Sequence, residues 1–145
     1  MVMAGSKAIL DLTQKRDAHV DERLRTEIII WLATVRPDGR PHLVPVWFLW
    51  NNSESVVYIF SKPDQKIRNL KENPNVVLAL NSPTGNDVVT LEGTATLLPR
   101  DAITSAHPDY EAKYKSNLDK FGWTGESMSQ SYTEPIRIEI TKVRA

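Results

Sequence analysis

Residues 27–50 read EIIIWLATVRPDGRPHLVPVWFLW, two apolar runs joined by Arg36-Pro37-Asp38-Gly39-Arg40, and this stretch decides the fold. The joint carries turn chemistry, because proline presets φ at the first turn position and glycine accepts a positive φ. The flanking runs, rich in isoleucine, valine and tryptophan, are the arms of a long β-hairpin. Both of its faces are apolar. Ile28, Ile30 and Leu32 alternate with Ile29, Trp31 and Ala33, and Leu43, Trp47 and Leu49 alternate with Val44, Val46, Phe48 and Trp50. An antiparallel sheet with one wet face would alternate apolar with polar instead. One face can therefore line a barrel interior, and the other needs a cover, either from the chain's own helices or from a second subunit.

Outward from the hairpin, the chain offers short strands and a few helices. Residues 6–25 space Ile9, Leu10, Leu12, Val20 and Leu24 loosely along one helical face, with Ser6 as a candidate N-cap. Past the loop at residues 51–55, a third strand at 56–60 is cut off by Ser61-Lys62-Pro63-Asp64. There Pro63 suits the first position of a helix that buries Ile67 and Leu70 and stops at Asn73-Pro74. Strands follow at 76–81 and 87–97, the second with Gly93 as a bulge or a place of close backbone approach. Helices are expected over 100–105 and 108–121, with another helical turn within 122–131, before Ile136, Ile138 and Ile140 alternate with polar residues in a last strand. The expected domain plan is thus one unit over 1–145: a helical segment at 1–25, a barrel core at 27–97, a helical segment at 99–131 and a final strand at 135–143. Six strands in short hairpins suit a closed or split antiparallel barrel better than a sandwich.

Composition narrows the function. The 145 residues suit a single domain, which buries roughly 70% of its unfolded surface. Eighteen basic residues balance eighteen acidic ones, so no overall field draws the chain to nucleic acid or anionic lipid, and any anion site must be local. Without cysteine there are no disulfides, thiolate metal sites or thiol nucleophiles. The first residues lack the pattern of an export signal, and no run reaches the roughly 18 apolar residues a membrane span needs. A cytoplasmic protein is expected.

The sharpest chemical signal is Ser61-Lys62-Pro63-Asp64-Gln65-Lys66, where a hydroxyl, two ammonium groups and a helix N-terminus converge at a strand end. Such a corner suits phosphate, although a pair of solvated lysines is the plainer alternative. Pro45, inside the second strand, points to an edge, a bulge or a backbone facing a ligand. His19, His42 and His107 have no metal-ligand spacing, no metal site is expected, and no catalytic triad or carboxylate pair can be named. If the chain is an enzyme, a cofactor supplies the hard chemistry.

Taken in order, Trp31-Leu32-Ala33-Thr34-Val35, Pro37-Asp38-Gly39-Arg40-Pro41, Pro45-Val46-Trp47-Phe48, Tyr58-Ile59-Phe60-Ser61-Lys62, Lys66, Asn69-Leu70 and Asn73-Pro74 resemble the pyridoxamine 5'-phosphate oxidase-like family. Within it, the Pro-Val-Trp-Phe strand and the Ser-Lys, Lys, Asn-Leu, Asn-Pro run are similar to the deazaflavin (coenzyme F420) dependent reductases. The resemblance implies a mainly β, six-stranded antiparallel split β-barrel with peripheral helices, the FMN-binding split barrel. It also implies a homodimer with two cofactor sites at the interface. Val44, Pro45, Val46 and Trp47 would flank the flavin or deazaflavin ring, and Ile59, Phe60, Ser61, Lys62 and Lys66 would hold the ribityl and phosphate end. Asn81 and Trp123 would reach the site from the other subunit. The implied activity is hydride transfer from coenzyme F420 to a small unsaturated or conjugated molecule. Flavin mononucleotide is the alternative cofactor, and a non-catalytic carrier the alternative role. The arginine-rich C-terminal motif of true pyridoxamine phosphate oxidases is absent, so vitamin B6 oxidation is not implied.

Overall fold

The hairpin forms, but its second arm is shorter than its sequence suggests. In this computed structural model, which describes residues 8–145, β1 (Ile30–Val35) pairs antiparallel with β2 (Pro41–Val46), with Ile30 opposite Val46 and Val35 opposite Pro41. The chain then breaks at Trp47-Phe48 and resumes as β3 (Leu49–Asn51), which pairs with β4 (Val56–Ser61). At the break the Phe48 N–H donates to the Tyr114 hydroxyl over 2.8 Å rather than to a neighbouring strand. One expected strand is therefore two, and the sheet has seven strands rather than six. A sheet that closes on itself makes such corners, where a long strand leaves one neighbour for another.

The remaining strands are β5 (Asn75–Ala79), β6 (Thr90–Leu97) and β7 (Glu134–Arg144), and the order across the sheet is β2-β1-β5-β6-β7-β4-β3. The strands at the two ends of that order, β2 and β3, are consecutive in the chain, so the sheet must curl until they meet. The result is a split barrel: mainly β, antiparallel, with a seam beside β2. Gly93 occupies a register shift between β6 and β7, and a Cβ there would fall 2.6 Å from the Glu139 carbonyl oxygen. Both sequence-based explanations for this glycine therefore hold.

Alternate residues fill the interior: Ile30 and Leu32 of β1, Leu78 of β5, Leu91 of β6, Ile136 and Ile138 of β7, and Val57 and Ile59 of β4. Two helices contribute to the same core, Val20 and Leu24 from α1 (Lys15–Thr26) and Ile67 and Leu70 from α2 (Gln65–Glu72). The first helix begins later than expected. Residues 8–14 form turns, in which the Asp11 carboxylate accepts the Thr13 N–H at 3.0 Å, a local bond that competes with helix. Ser6 lies outside the described residues. The expected helix over 100–105 is likewise a set of turns, with Ala102 N–H donating to the Pro99 carbonyl and Ala106 N–H to the Thr104 hydroxyl. By contrast α3 (Pro108–Phe121) lies where its pattern placed it, opened by Pro108 and the His107 cap and closed by Gly122 at φ 67°.

A second, smaller core lies outside the barrel. Phe60, on the outer side of β4, packs with Tyr110, Tyr114 and Leu118 of α3 and Met128 of α4 (Gly125–Ser129). The chain's own helices thus cover the outer face of β3 and β4. Among the described residues no such cover lies over the outer face of β2, β1 and β5. There Leu43, opposite Ala33, which is opposite Val77, forms an apolar row in which Leu43 is 61% exposed and Val77 45%.

Candidate functional site

Pro45 explains how the seam is built. Arg36 N–H donates to the Arg40 carbonyl, and from there the antiparallel ladder alternates, so residues 42, 44 and 46 bond to β1 while Pro41 and Pro45 face the free edge. A missing N–H removes no ladder bond there, which is why an edge strand tolerates both prolines.

At the end of this edge a cavity of about 400 Å³ opens. It is lined by Ile29, Pro45, Val46, Trp47, Phe60, Lys66, Phe121, Trp123, Met128 and Tyr132. Its walls are held by the second core. Trp47 stacks on Tyr114 with ring centroids 4.5 Å apart and planes 4° from parallel. Tyr114 is itself anchored, its hydroxyl donating to the Ile28 carbonyl at 2.7 Å. Phe60 meets Tyr110 edge-on at 4.9 Å. Burial pushes the pKa of both tyrosines far above the ordinary phenol value, so both stay protonated. Beyond Trp47 the aromatic wall continues through Phe121, Trp123 and Tyr132, with successive centroids 6.4, 5.1 and 6.3 Å apart. Phe121 is 59% exposed and Trp123 38%, so flat apolar faces remain available to a ligand.

Among the described residues, Lys66 is the one charged residue in the lining. Its side chain is only 12% exposed, and Nζ lies 2.6 Å from Oδ2 of Asp64. The corner read from the sequence as a phosphate cradle therefore carries its own carboxylate. The Ser61 hydroxyl is also engaged, buried and donating to the Lys62 carbonyl at 2.6 Å. Any anion entering this corner would have to displace Asp64, whose side chain is 44% exposed. His42 stands beside this pair. Burial, then the charges of Arg36 and Lys66, lower its pKa below the ordinary histidine value, with Asp64 opposing, and its Nδ1 is buried without a hydrogen-bond partner.

Of the residues singled out from the sequence, Pro45, Val46, Trp47, Phe60, Lys66 and Trp123 meet in the cavity. Trp123 lines it from its own chain. The others lie outside the lining. Val44 is half-buried on β2, Ile59 is fully buried in the barrel interior, and Ser61 turns inward. Lys62 sits at the rim with Nζ 5.3 Å from the Tyr132 ring centroid. Asn81 accepts the Trp31 indole N–H at 2.8 Å, away from the cavity. Sequence reasoning missed Ile29, Phe121, Met128, Tyr132 and His42. The signal for Phe121 was the pair of aromatics flanking Gly122, the residue that ends α3.

Among the described residues no helix is long and apolar enough to cross a membrane. Known structures share this fold. An F420 reductase superposes with a TM-score of 0.63 at 24% identity, over 86% of this chain and 94% of that one. A conserved hypothetical protein from Mycobacterium tuberculosis gives 0.68 at 21% identity, over 95% and 85%. HutZ, the heme storage protein from Vibrio cholerae, gives 0.64 at 19% identity, over 91% and 95%. Such identities establish the fold alone. The family model for pyridoxamine 5'-phosphate oxidase, however, matches residues 17–145, a span that holds all the strands of the barrel and the outer core as well, and on that match the chain belongs to the pyridoxamine 5'-phosphate oxidase family.

Proposed function

We propose that this chain is an oxidoreductase whose hydride carrier is a deazaflavin, coenzyme F420, held in the seam cavity, and that it works in the cytoplasm as a homodimer. The supporting observation is the cavity's polarity: aromatic and aliphatic walls with one cation, Lys66, at one end. A flat tricycle with an anionic tail has the matching polarity. Pro45, Val46 and Trp47 would flank the ring, Trp47 being held flat by Tyr114. Lys66, with Lys62 at the rim, would hold the phosphate once Asp64 turns to water. The bound cofactor supplies a carbon that donates hydride. The chain's own residues orient the partners and keep water out, with Phe121, Trp123 and Tyr132 closing the open side over a small conjugated acceptor.

The resemblance of the Pro45-Val46-Trp47-Phe48 strand and the Ser61-Lys62 to Asn73-Pro74 run to the deazaflavin-dependent reductases is what favours deazaflavin over flavin mononucleotide. The homodimer is supported by the uncovered row of Leu43, Ala33 and Val77, which a second copy would bury. A non-catalytic carrier is the second reading, favoured by a cavity whose lining, among the described residues, holds no carboxylate and no histidine.

The test is a pair of fluorescence titrations, with flavin mononucleotide and with the deazaflavin. Micromolar affinity, about −8 kcal/mol, for the deazaflavin alone is the expected result. A yellow flavin that stays with the protein through gel filtration would overturn the deazaflavin assignment. Turnover of reduced cofactor with activated alkenes or quinones separates enzyme from carrier.

A further inference from the structure

Away from the seam, two titratable groups are already engaged within the fold. Burial pushes the Lys113 pKa down to about 7, and its Nζ donates to the Phe48 carbonyl at 2.8 Å and the Leu24 carbonyl at 3.3 Å. Asp21, which is buried, accepts the Trp50 indole N–H at 2.9 Å and the Arg25 Nε–H at 2.8 Å. The hairpin tip differs. Asp38 is exposed there and is followed by Gly39, the one Asp-Gly step in the sequence.

Contacts from both sides set the geometry of that step. The Arg40 N–H donates to Oδ1 of Asp38 at 3.1 Å, a bond spanning two residues that folds the carboxyl back over the Asp38-Gly39 peptide. The Arg40 guanidinium donates to Oδ2 through Nε at 2.9 Å and Nη2 at 2.8 Å. These side-chain and backbone bonds, with the charge of Arg36 behind them, hold the Asp38 pKa below the ordinary aspartate value. The Gly39 N–H donates to the Arg36 carbonyl at 2.8 Å. Gly39 itself has φ 90° and open space where a Cβ would stand, so no side chain of its own shields its nitrogen.

We propose that Asp38-Gly39 is a self-modification site, where the chain closes to a succinimide and reopens to isoaspartate, and that the Arg40 guanidinium is the brake on it. In the closing step the Gly39 nitrogen, released from the Arg36 carbonyl, attacks Cγ of Asp38. A C–N bond forms, a C–O bond of the carboxyl breaks, and the departing hydroxyl takes the nitrogen's proton and leaves as water. Water then adds to the ring. Breaking the bond between the main-chain carbonyl carbon of Asp38 and the nitrogen leaves the chain linked through Cγ. Only the neutral acid has a hydroxyl to lose, so a guanidinium that keeps Asp38 ionised slows the closing. Isoaspartate adds one methylene to the main chain inside the loop that the bond from the Arg36 N–H to the Arg40 carbonyl closes, and so disturbs the register of β2 on β1.

The test ages the full-length protein at constant temperature from pH 5 to pH 8. Isoaspartate at each aspartate is counted by electron-transfer fragmentation of its peptides, which separates the two linkages. Asp101, exposed in a turn and followed by Ala102, is the internal reference. Asp38 is expected to isomerise faster than Asp101, with a rate that falls as pH rises. Arg40→Gln should raise the Asp38 rate about threefold and leave Asp101 unchanged, whereas Arg40→Lys, which keeps the cation, should stay within about twofold of the wild type. Equal rates in the wild type and Arg40→Gln, an Arg40→Lys rate as high as that of Arg40→Gln, or an Asp38 rate no higher than that of Asp101 would overturn the proposal. None of these outcomes depends on the cofactor assignment.

Discussion

Lys66 and Asp64 form a pair whose roles in ligand binding should be opposite. Lys66→Ala removes the buried cation from the cavity and is expected to weaken cofactor binding by about 1–3 kcal/mol, roughly 10- to 150-fold. Asp64→Asn removes the resident carboxylate that an incoming phosphate must displace. It should tighten binding by about 1 kcal/mol, roughly fivefold. Fluorescence titration of both variants checks the pair, and an Asp64→Asn variant that binds more weakly would show the carboxylate to be part of the site. Lys113 makes a pH prediction. Its folded pKa of about 7 lies below the ordinary 10.5, so between those values the unfolded chain binds a proton that the fold does not. Stability from this group therefore rises with pH across that window, by at most about 1.4 kcal/mol per pH unit, and the penalty is complete below it. Urea unfolding at pH 7 and pH 9 should show a steeper gain in the wild type than in Lys113→Met.

At the level of elements, α3 and α4 decide what the cavity contains. Tyr114 supports Trp47 from below, and the end of α3 brings Phe121 to its side. The short α4 is seated by close approach: Gly125 N–H donates to the Glu111 carboxylate at 3.1 Å, its carbonyl accepts the Ser105 hydroxyl at 2.7 Å, and a Cβ on it would collide with the Ser105 carbonyl. Gly125→Ala should therefore displace α4 and with it Met128, costing about 1–3 kcal/mol. Lower cofactor affinity should accompany the lower thermal midpoint, because Met128 and Tyr132 line the cavity. Unchanged affinity in a destabilised protein would separate α4 from the site.

For the whole molecule, the uncovered face of β2, β1 and β5 sets the prediction. Leu43→Asp puts a charge into the middle of the apolar row while leaving the barrel interior untouched, since Leu43 points outward. Sedimentation equilibrium should find a dimer for the wild type and a shift of at least about tenfold toward monomer for the variant. A wild-type monomer at micromolar concentration would remove the interface from the proposal. The row also completes an account that the hairpin opened: of its two apolar faces, one fills the barrel, and the other is covered by α3 and α4 only beyond Trp47.

Local physics made much of this legible in the sequence. Gly39 and Pro37 set the hairpin turn, Pro108 and Gly122 bounded α3, and the alternation of Ile136, Ile138 and Ile140 marked the inner side of β7. Each of these signals acts within a few residues, so it survives without knowledge of the fold. Tertiary structure alone decided where the second arm of the hairpin breaks, because Phe48 turns toward a hydroxyl 66 residues away. It alone brought Phe121, Trp123 and Tyr132 beside Pro45, and it alone showed that Asp64 already holds Lys66. Which partner a side chain meets across the chain depends on how the sheet closes, and closure is a property of all seven strands together.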